Sequence, residues 1–316
     1  MPSNHKIQRY VAPVEETPVA AVDAAKFEGK ASSVWGDAWK DMRRRPLTWI
    51  CLALILLIAV VSLFPQLFTS TLPTGGSCSI RSSLAPASEG HPLGFNKLGC
   101  DVYSRLVYGA QASVTVGLVA TILATLIGGA IGAIAGFYGG WLDSVVSRIG
   151  DVFFAIPTVL GAIIVIQVMP WDRNAMTIAL VLAVFGWPQI ARIMRGAVLS
   201  AKNADYVTAS IALGVSRGKI LLKHVVPNSL APVIVIATVS LGVFIVAEAS
   251  LSFLGLGLPP SVASWGADIS AGRDTLRTAP ELIFWPSLAL AVTVLAFMML
   301  GDIVRDALDP KARARR

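Results

Sequence analysis

The segment DYVTASIALGVSRGKILLKHVVPNSLAPV, residues 205–233, separates two long apolar stretches. From its start, Tyr206, Ala209, Ser210, Leu213 and Gly214 recur at the i, i+3, i+4, i+7, i+8 spacing of one helical face. Asp205 is expected to cap this helix and to favour its positive end. Gly214 is expected to close it, as glycine does at many helix C-termini. Ser216 then caps a second helix, made basic by Arg217, Lys219 and Lys223, and Pro227 ends it. The expectation is a helix–glycine–helix hairpin of about 25 residues with a small-residue face and a basic rim. One reading of such a hairpin is a surface helix drawn to anionic lipid by Lys219 and Lys223. Ala and Ser on its face fit the groove of a protein better than burial in lipid.

The sequence on either side places this hairpin at a membrane. The 316 residues are 55% hydrophobic and only 14% charged, where a soluble domain carries about a quarter charged residues. Six stretches are apolar enough to cross about 30 Å of hydrocarbon. The first is 47–68, the second about 112–137, the third 152–169 and the fourth 176–193. The fifth starts near Leu230, and the sixth covers 283–300. Lys and Arg are unevenly shared among the connections: eight precede the first stretch, one lies between the second and third, six between the fourth and fifth, and five follow the sixth. Only Arg81, Lys97, Arg105, Arg173, Arg273 and Arg277 fall on the other side. Basic short loops stay cytoplasmic, so both termini and the hairpin are expected in the cytosol. The net charge of +7 follows from this bias and does not point to nucleic acid.

The chain then divides into a flexible cytosolic tail (1–33), an amphipathic lead-in with the first transmembrane helix (34–72) and an extracytoplasmic loop (73–110). A core of five further helices (111–310) follows, containing the cytosolic loop 200–228, and 311–316 forms a basic tail. Gly128, Gly132 and Gly136 recur every fourth residue, which lets another helix approach the second span closely. Pro157, Pro188 and Pro286 lie inside spans, where they can kink them. Cys51 lies in the first span as a small apolar residue. Cys78 and Cys100 share the outer loop, on the side where disulfides persist. Sequence alone leaves their pairing open, because it does not give the separation of the α-carbons.

No enzyme is legible. Gly214, Gly218 and Lys219 lack phosphate-loop spacing, and no Ser or Thr follows the lysine. The histidines at 5, 91 and 224 are scattered, so they offer no metal cluster.

The hairpin stretch resembles the EAA loop of bacterial ABC importer permeases. HPLGFNKLGCDVYSRLVYGAQ (91–111), GWPQIARIMRGAVLSAKNADYV (186–207), AEASLSFLGLGLPPSVASWG (247–266) and LGDIVRDALDPK (300–311) extend the likeness. In order from about Ser33 to Lys311, including WGDAWKDMRRRPL before the first span, they are similar to the C-type permease subunit of dipeptide and oligopeptide importers. The resemblance implies an all-α, six-span type I importer permease of the bacterial cytoplasmic membrane, with both termini inside. It implies a homologous second permease, two ATP-binding subunits (or one fused subunit) and an extracytoplasmic peptide-binding protein as partners. The chain itself would hold no cofactor; ATP and Mg would be bound by the partner subunits. The residues expected to couple to the ATPase are Asp205, Tyr206, Thr208, Ala209, Ser210, Leu213, Gly214 and Pro227. Thr208 stands where the family usually has Glu, and Ser210 where it has a second Ala, which puts in doubt a salt bridge from position 208. Cys100 replaces a common arginine, which adds weight to a pairing with Cys78. Nickel or another small solute remains open as cargo within the same complex type.

Glu248 is a carboxylate inside the fifth apolar stretch. Buried charge there must be paired or line a polar path. It is either a gate or path residue, or one that lies at the outer interface or locks helices. Arg192 and Arg195 are expected to anchor the cytosolic edge by snorkelling. A proton-driven secondary transporter would need several intramembrane acids and an inverted repeat. Only Glu248 is deep, with Asp151 near an edge, and no repeat is visible.

Overall fold

Apolar segments without water partners must satisfy their backbone groups internally, and here they do so as helices. The computed structural model describes residues 34–169 and 172–308, and all the regular elements among them are helical. The tails expected over 1–33 and 311–316 lie outside the described residues. A short lead-in helix, α1 (Val34–Met42), precedes α2 (Pro46–Leu63). After an outer loop come α3 (Val102–Tyr138), the pair α4 (Gly140–Ala155) and α5 (Thr158–Val168), and α6 (Ala175–Ala201). The hairpin elements α7 (Asp205–Ala212) and α8 (Arg217–Ile220) lead into α9 (Val226–Phe253). A short α10 (Trp265–Gly272) and the long α11 (Glu281–Leu308) complete the chain.

Five helical runs are long and apolar enough to span a bilayer, and a sixth span exists only if the bent pair α4–α5 is counted as one. The third span expected over 152–169 is therefore not one straight helix. Its two halves meet at 89°. Pro157 supplies no N–H and disfavours helical geometry in the residue before it, and Ile156 is accordingly extended, at φ −98° and ψ 119°. Pro188 and Pro286 sit within helices that continue past them. The second span starts at Val102, ten residues before the sequence expectation. Asp101 causes the early start: its carboxylate accepts the Ser104 N–H at 2.8 Å and caps the helix.

The glycine stripe locates the main seam. A methyl group at Gly128 would lie 2.5 Å from the Trp187 carbonyl oxygen, and one at Gly136 would lie 2.9 Å from that of Arg195. At Gly132 it would run into the Ala191 backbone. Residues 128, 132 and 136 of α3 thus face 187, 191 and 195 of α6 in register. This is a small-residue contact of the kind that drives helix association in lipid, where hydrophobicity does not distinguish a helix from its surroundings. The central core, including Val116, Ile178, Leu182, Ile190, Val198 and Leu251, gathers around this seam.

Candidate functional site

The hairpin is held on one side and free on the other. Val207, Ile220, Leu221 and Val225 are buried in the central core, which clips α7 and α8 to the bundle. The remaining surface of α7 is uncovered: Tyr206, Thr208 and Ala209 are exposed, and Leu213 is 82% exposed. Ile211 joins them, so the free face carries two large apolar side chains rather than only Ala and Ser. Ser210 is half-buried and turns its hydroxyl back to donate to the Tyr206 carbonyl at 2.7 Å.

Gly214 ends α7 with φ +76°, a conformation that costs an L side chain about 1–2 kcal/mol. The Val215 N–H reaches the Ser210 carbonyl at 3.1 Å and the Gly214 N–H reaches Ile211 at 2.9 Å. These are the paired bonds of a Schellman termination. Three details differ from the sequence reading. Ala204, not Asp205, is the cap residue of α7, and Asp205 occupies the exposed first turn without a side-chain cap bond. Ser216 holds the cap position of α8, yet its hydroxyl makes no cap bond. Pro227 does not end the second helix. A π turn over Leu221–Val225 carries α8 into α9, and Pro227 sits in the first turn beyond it, where its missing N–H is tolerated. The run from Arg217 to Phe253 is therefore continuous, 37 residues long.

That run ends near a second site. Glu248 is fully buried and accepts hydrogen bonds from Ser252 at 2.7 Å on one carboxylate oxygen and from Ser113 at 2.9 Å on the other. The N–H of Trp265, the first residue of α10, donates to the same Ser113 hydroxyl at 3.4 Å. The carboxylate thus joins α3 and α9, and α10 through Ser113. Beside it, Arg105 donates from Nε to Asp268 at 2.6 Å and from Nη1 to the Pro73 carbonyl at 3.2 Å. Arg105 was assigned by sequence to the outer loop as one of its few basic residues; it lies buried in the first turns of α3. Its partner is 163 residues away, so no local pattern announces the pair. A cavity of 450 Å³ opens next to this cluster, lined by Lys97, Leu98, Arg105, Ser252, Asp268 and Leu282, among others. Glu248 does not line it. Its surroundings fit a lock between helices.

Two further features stiffen the ends of the bundle. Cys78 and Cys100 form a disulfide with α-carbons 4.2 Å apart, pinching the outer loop onto the start of α3. At the hairpin end, Arg195 makes a bidentate ion pair with Asp143, its Nη2 bond measuring 2.7 Å. Arg192 reaches Asp151 at 3.4 Å and lies 3.9 Å from the centre of the Phe154 ring. These arginines clamp α6 to α4; they do not simply snorkel. Lys202 adds a bond to the Gly136 carbonyl at 2.8 Å, tying the end of α6 to α3.

Long apolar helices, a clipped hairpin and a glycine-packed seam make a helical membrane bundle, and comparison with known proteins assigns the family. Residues 128–314 match the binding-protein-dependent transport system inner membrane component model. The chain belongs to that permease family. Residues 33–83 match the N-terminal transmembrane domain of oligopeptide transport permease C, which places the chain among the OppC- and DppC-like permeases. The chain is 37% identical over 299 residues to the oligopeptide transport system permease protein OppC of Bacillus subtilis, covering 95% of this chain and 97% of that one. It is 36% identical over 285 residues to the dipeptide permease DppC of Alkalihalophilus pseudofirmus, covering 90% and 92%. The glutathione permease GsiD of Pectobacterium atrosepticum is 34% identical over 280 residues, covering 89% and 92%. In fold, the chain is similar to the inward-facing MetNI methionine ABC transporter, with a TM-score of 0.55 and 20% identity over 65% of this chain and 96% of that one. The permease is a multi-pass protein of the bacterial inner membrane with a type I importer fold. Its family is a membrane permease and not an ATPase.

Proposed function

We propose that this permease is one half of the translocation pathway of an ATP-driven importer of di- or oligopeptides, and that it is driven through residues 205–227. The uncovered face of α7, held from behind by Val207 and closed by Gly214, is the observation that carries the reading. A helix of eight residues with Leu213 and Ile211 outward has the form of a part that enters a groove on another protein. That protein is the ATP-binding subunit, present twice or as a fused pair, and ATP and Mg reside there. Asp205, Tyr206, Thr208, Ala209 and Ser210 form or flank the docking helix; Leu213 and Gly214 form its end. Pro227 lies where the hairpin becomes the fifth span. Thr208 offers no carboxylate, so docking relies on shape and apolar contact.

Transmission follows from rigidity. A helix of this length extends about 46 Å from Arg217 to Glu248, at about 1.5 Å per residue. A push on the hairpin moves the Glu248 lock, and with it α3 and α10. Packed helices shift between discrete arrangements instead of bending smoothly, which suits alternation between inward- and outward-facing states. In this orientation the hairpin and both termini are cytosolic. The disulfide loop is outside, where a peptide-binding protein delivers cargo to the path formed with a homologous second permease. The relatives' names favour short peptides, glutathione included. The test is gentle detergent extraction of tagged chain followed by mass spectrometry of stoichiometric partners. Recovery of a second permease and ATP-binding subunits, the latter lost on Gly214→Pro, supports the proposal. Folded chain recovered alone, transporting in liposomes without ATP, contradicts it.

A further inference from the structure

The N-terminal lead-in carries an exposed feature that neither transport nor coupling uses. In α1, Trp35 and Trp39 lie one helical turn apart on one face, 46% and 50% exposed. The Arg43 N–H bonds to the Trp39 carbonyl at 3.0 Å, so the helical turn continues and Arg43 extends the same stripe. Trp49, at the start of α2 and 54% exposed, is drawn to it, because its indole N–H donates to the Arg43 carbonyl at 3.0 Å. Trp35 and Trp39 thus lead along α1 to a corner at Arg43, whose carbonyl Trp49 binds. An adjoining side of α1 is covered: Ala38 is buried against Ala307 and Leu308, with Met42 packed beside it.

The cations around this corner differ in what they do. Arg45 is engaged, bonding to Asp41 at 2.8 Å and to Asp306 at 3.2 Å, which fixes the corner against the end of α11. Lys40 lies 3.7 Å from Asp37. Arg43 and Arg44 are exposed and make no side-chain ion pair with any described residue. Two exposed guanidiniums that pair with no described carboxylate, following the tryptophan stripe in sequence, form the pattern expected at the headgroup level of a bilayer. Indoles favour that depth, and basic residues favour anionic headgroups.

We infer that Trp35, Trp39, Trp49, Arg43 and Arg44 form a binding surface for the phosphate headgroup of an anionic phospholipid. The indoles lie along the acyl–headgroup boundary and the two guanidiniums grip the headgroup, giving the first span a fixed depth and tilt. The inference requires only that the chain spans a bilayer, so it stands or falls separately from the ATP-coupled reading.

The full chain is reconstituted in zwitterionic bilayers containing equal mole fractions of either brominated phosphatidylglycerol or brominated phosphatidylcholine. Bromine quenches tryptophan at contact, and subtraction of the Trp35→Phe/Trp39→Phe/Trp49→Phe variant isolates these three of the eight tryptophans. The expected result is stronger quenching by the anionic lipid, with apparent affinity higher by about fivefold for each guanidinium. Arg43→Gln/Arg44→Gln removes that preference, while Arg43→Lys/Arg44→Lys keeps most of it. Inorganic phosphate added at constant ionic strength leaves it unchanged. Equal quenching by the two lipids, a preference that persists in the Gln variant, or displacement by free phosphate each overturns the proposal.

Discussion

The hairpin and the Glu248 cluster sit at the two ends of one continuous helical run, yet they are built in opposite ways. Around Glu248 the strong polar groups have partners: two serine hydroxyls meet one carboxylate, and Arg105 meets Asp268. Around α7 the backbone is satisfied by the Schellman turn, but the side chains outside Val207 are left uncovered. A satisfied buried network fixes geometry, and its loss is felt as instability. An uncovered, well-braced face contributes little to stability, which is what the proposed docking of α7 requires. Sequence position alone does not separate these roles, since both regions carry polar residues next to long apolar runs.

Substitutions should therefore divide by readout. The largest stability loss is expected for Arg105→Ala, which strands Asp268 as an unpaired buried charge at a cost of about 3–5 kcal/mol. Thermal melting in detergent measures it, and Arg105→Ala/Asp268→Asn should recover much of the loss. Cys78→Ser/Cys100→Ser should follow at about 3 kcal/mol for a loop of this length, read as earlier proteolysis of the outer loop. Glu248→Gln keeps the shape and leaves one acceptor where there were two, costing about 1–3 kcal/mol. If Glu248→Gln instead abolishes uptake at unchanged melting temperature, the residue is a path or gate group and the contrast between the two regions fails. The smallest stability effect, within about 0.5 kcal/mol, belongs to Leu213→Ala, because the side chain is 82% exposed. Its uptake should nevertheless fall about tenfold or more, since full burial of a leucine side chain in a groove contributes about 1.5–3 kcal/mol.

Much of this division was legible beforehand, for local reasons. Apolar length marks the spans, the four-residue glycine interval marks the face of α3 that another helix approaches, though not that the helix is α6, and Gly214 marks the end of α7, because each signal lies within a few adjacent turns. What was not legible depends on distant residues or on a choice among local geometries. Val152 to Met169 is apolar apart from Pro157, Thr158, Gly161 and Gln167, and hydropathy does not distinguish a kink from an 89° break. Pro227 is a stop signal in isolation, but the π turn before it relieves the lost hydrogen bond and the helix continues. Arg105 counted toward outer positive charge because its counter-ion, Asp268, is far along the chain. Glu248 is visible in the sequence as an anomaly; its partners Ser113 and Ser252 emerge only from the packing of α3 against α9.

The central claim is that the free face of α7 transmits force without contributing to the fold. The most direct measurement compares Gly214→Val with the unmodified chain in the purified, reconstituted complex, recording ATP-driven peptide uptake, ATPase rate and melting temperature together. Valine is poorly tolerated at φ +76° and should misplace Leu213 and the end of α7 while leaving the transmembrane core intact. The account predicts uptake lost, ATP hydrolysis no longer stimulated by the binding protein, and melting of the transmembrane bundle lowered by no more than a few degrees. Full ATP-driven uptake with a distorted hairpin would contradict it.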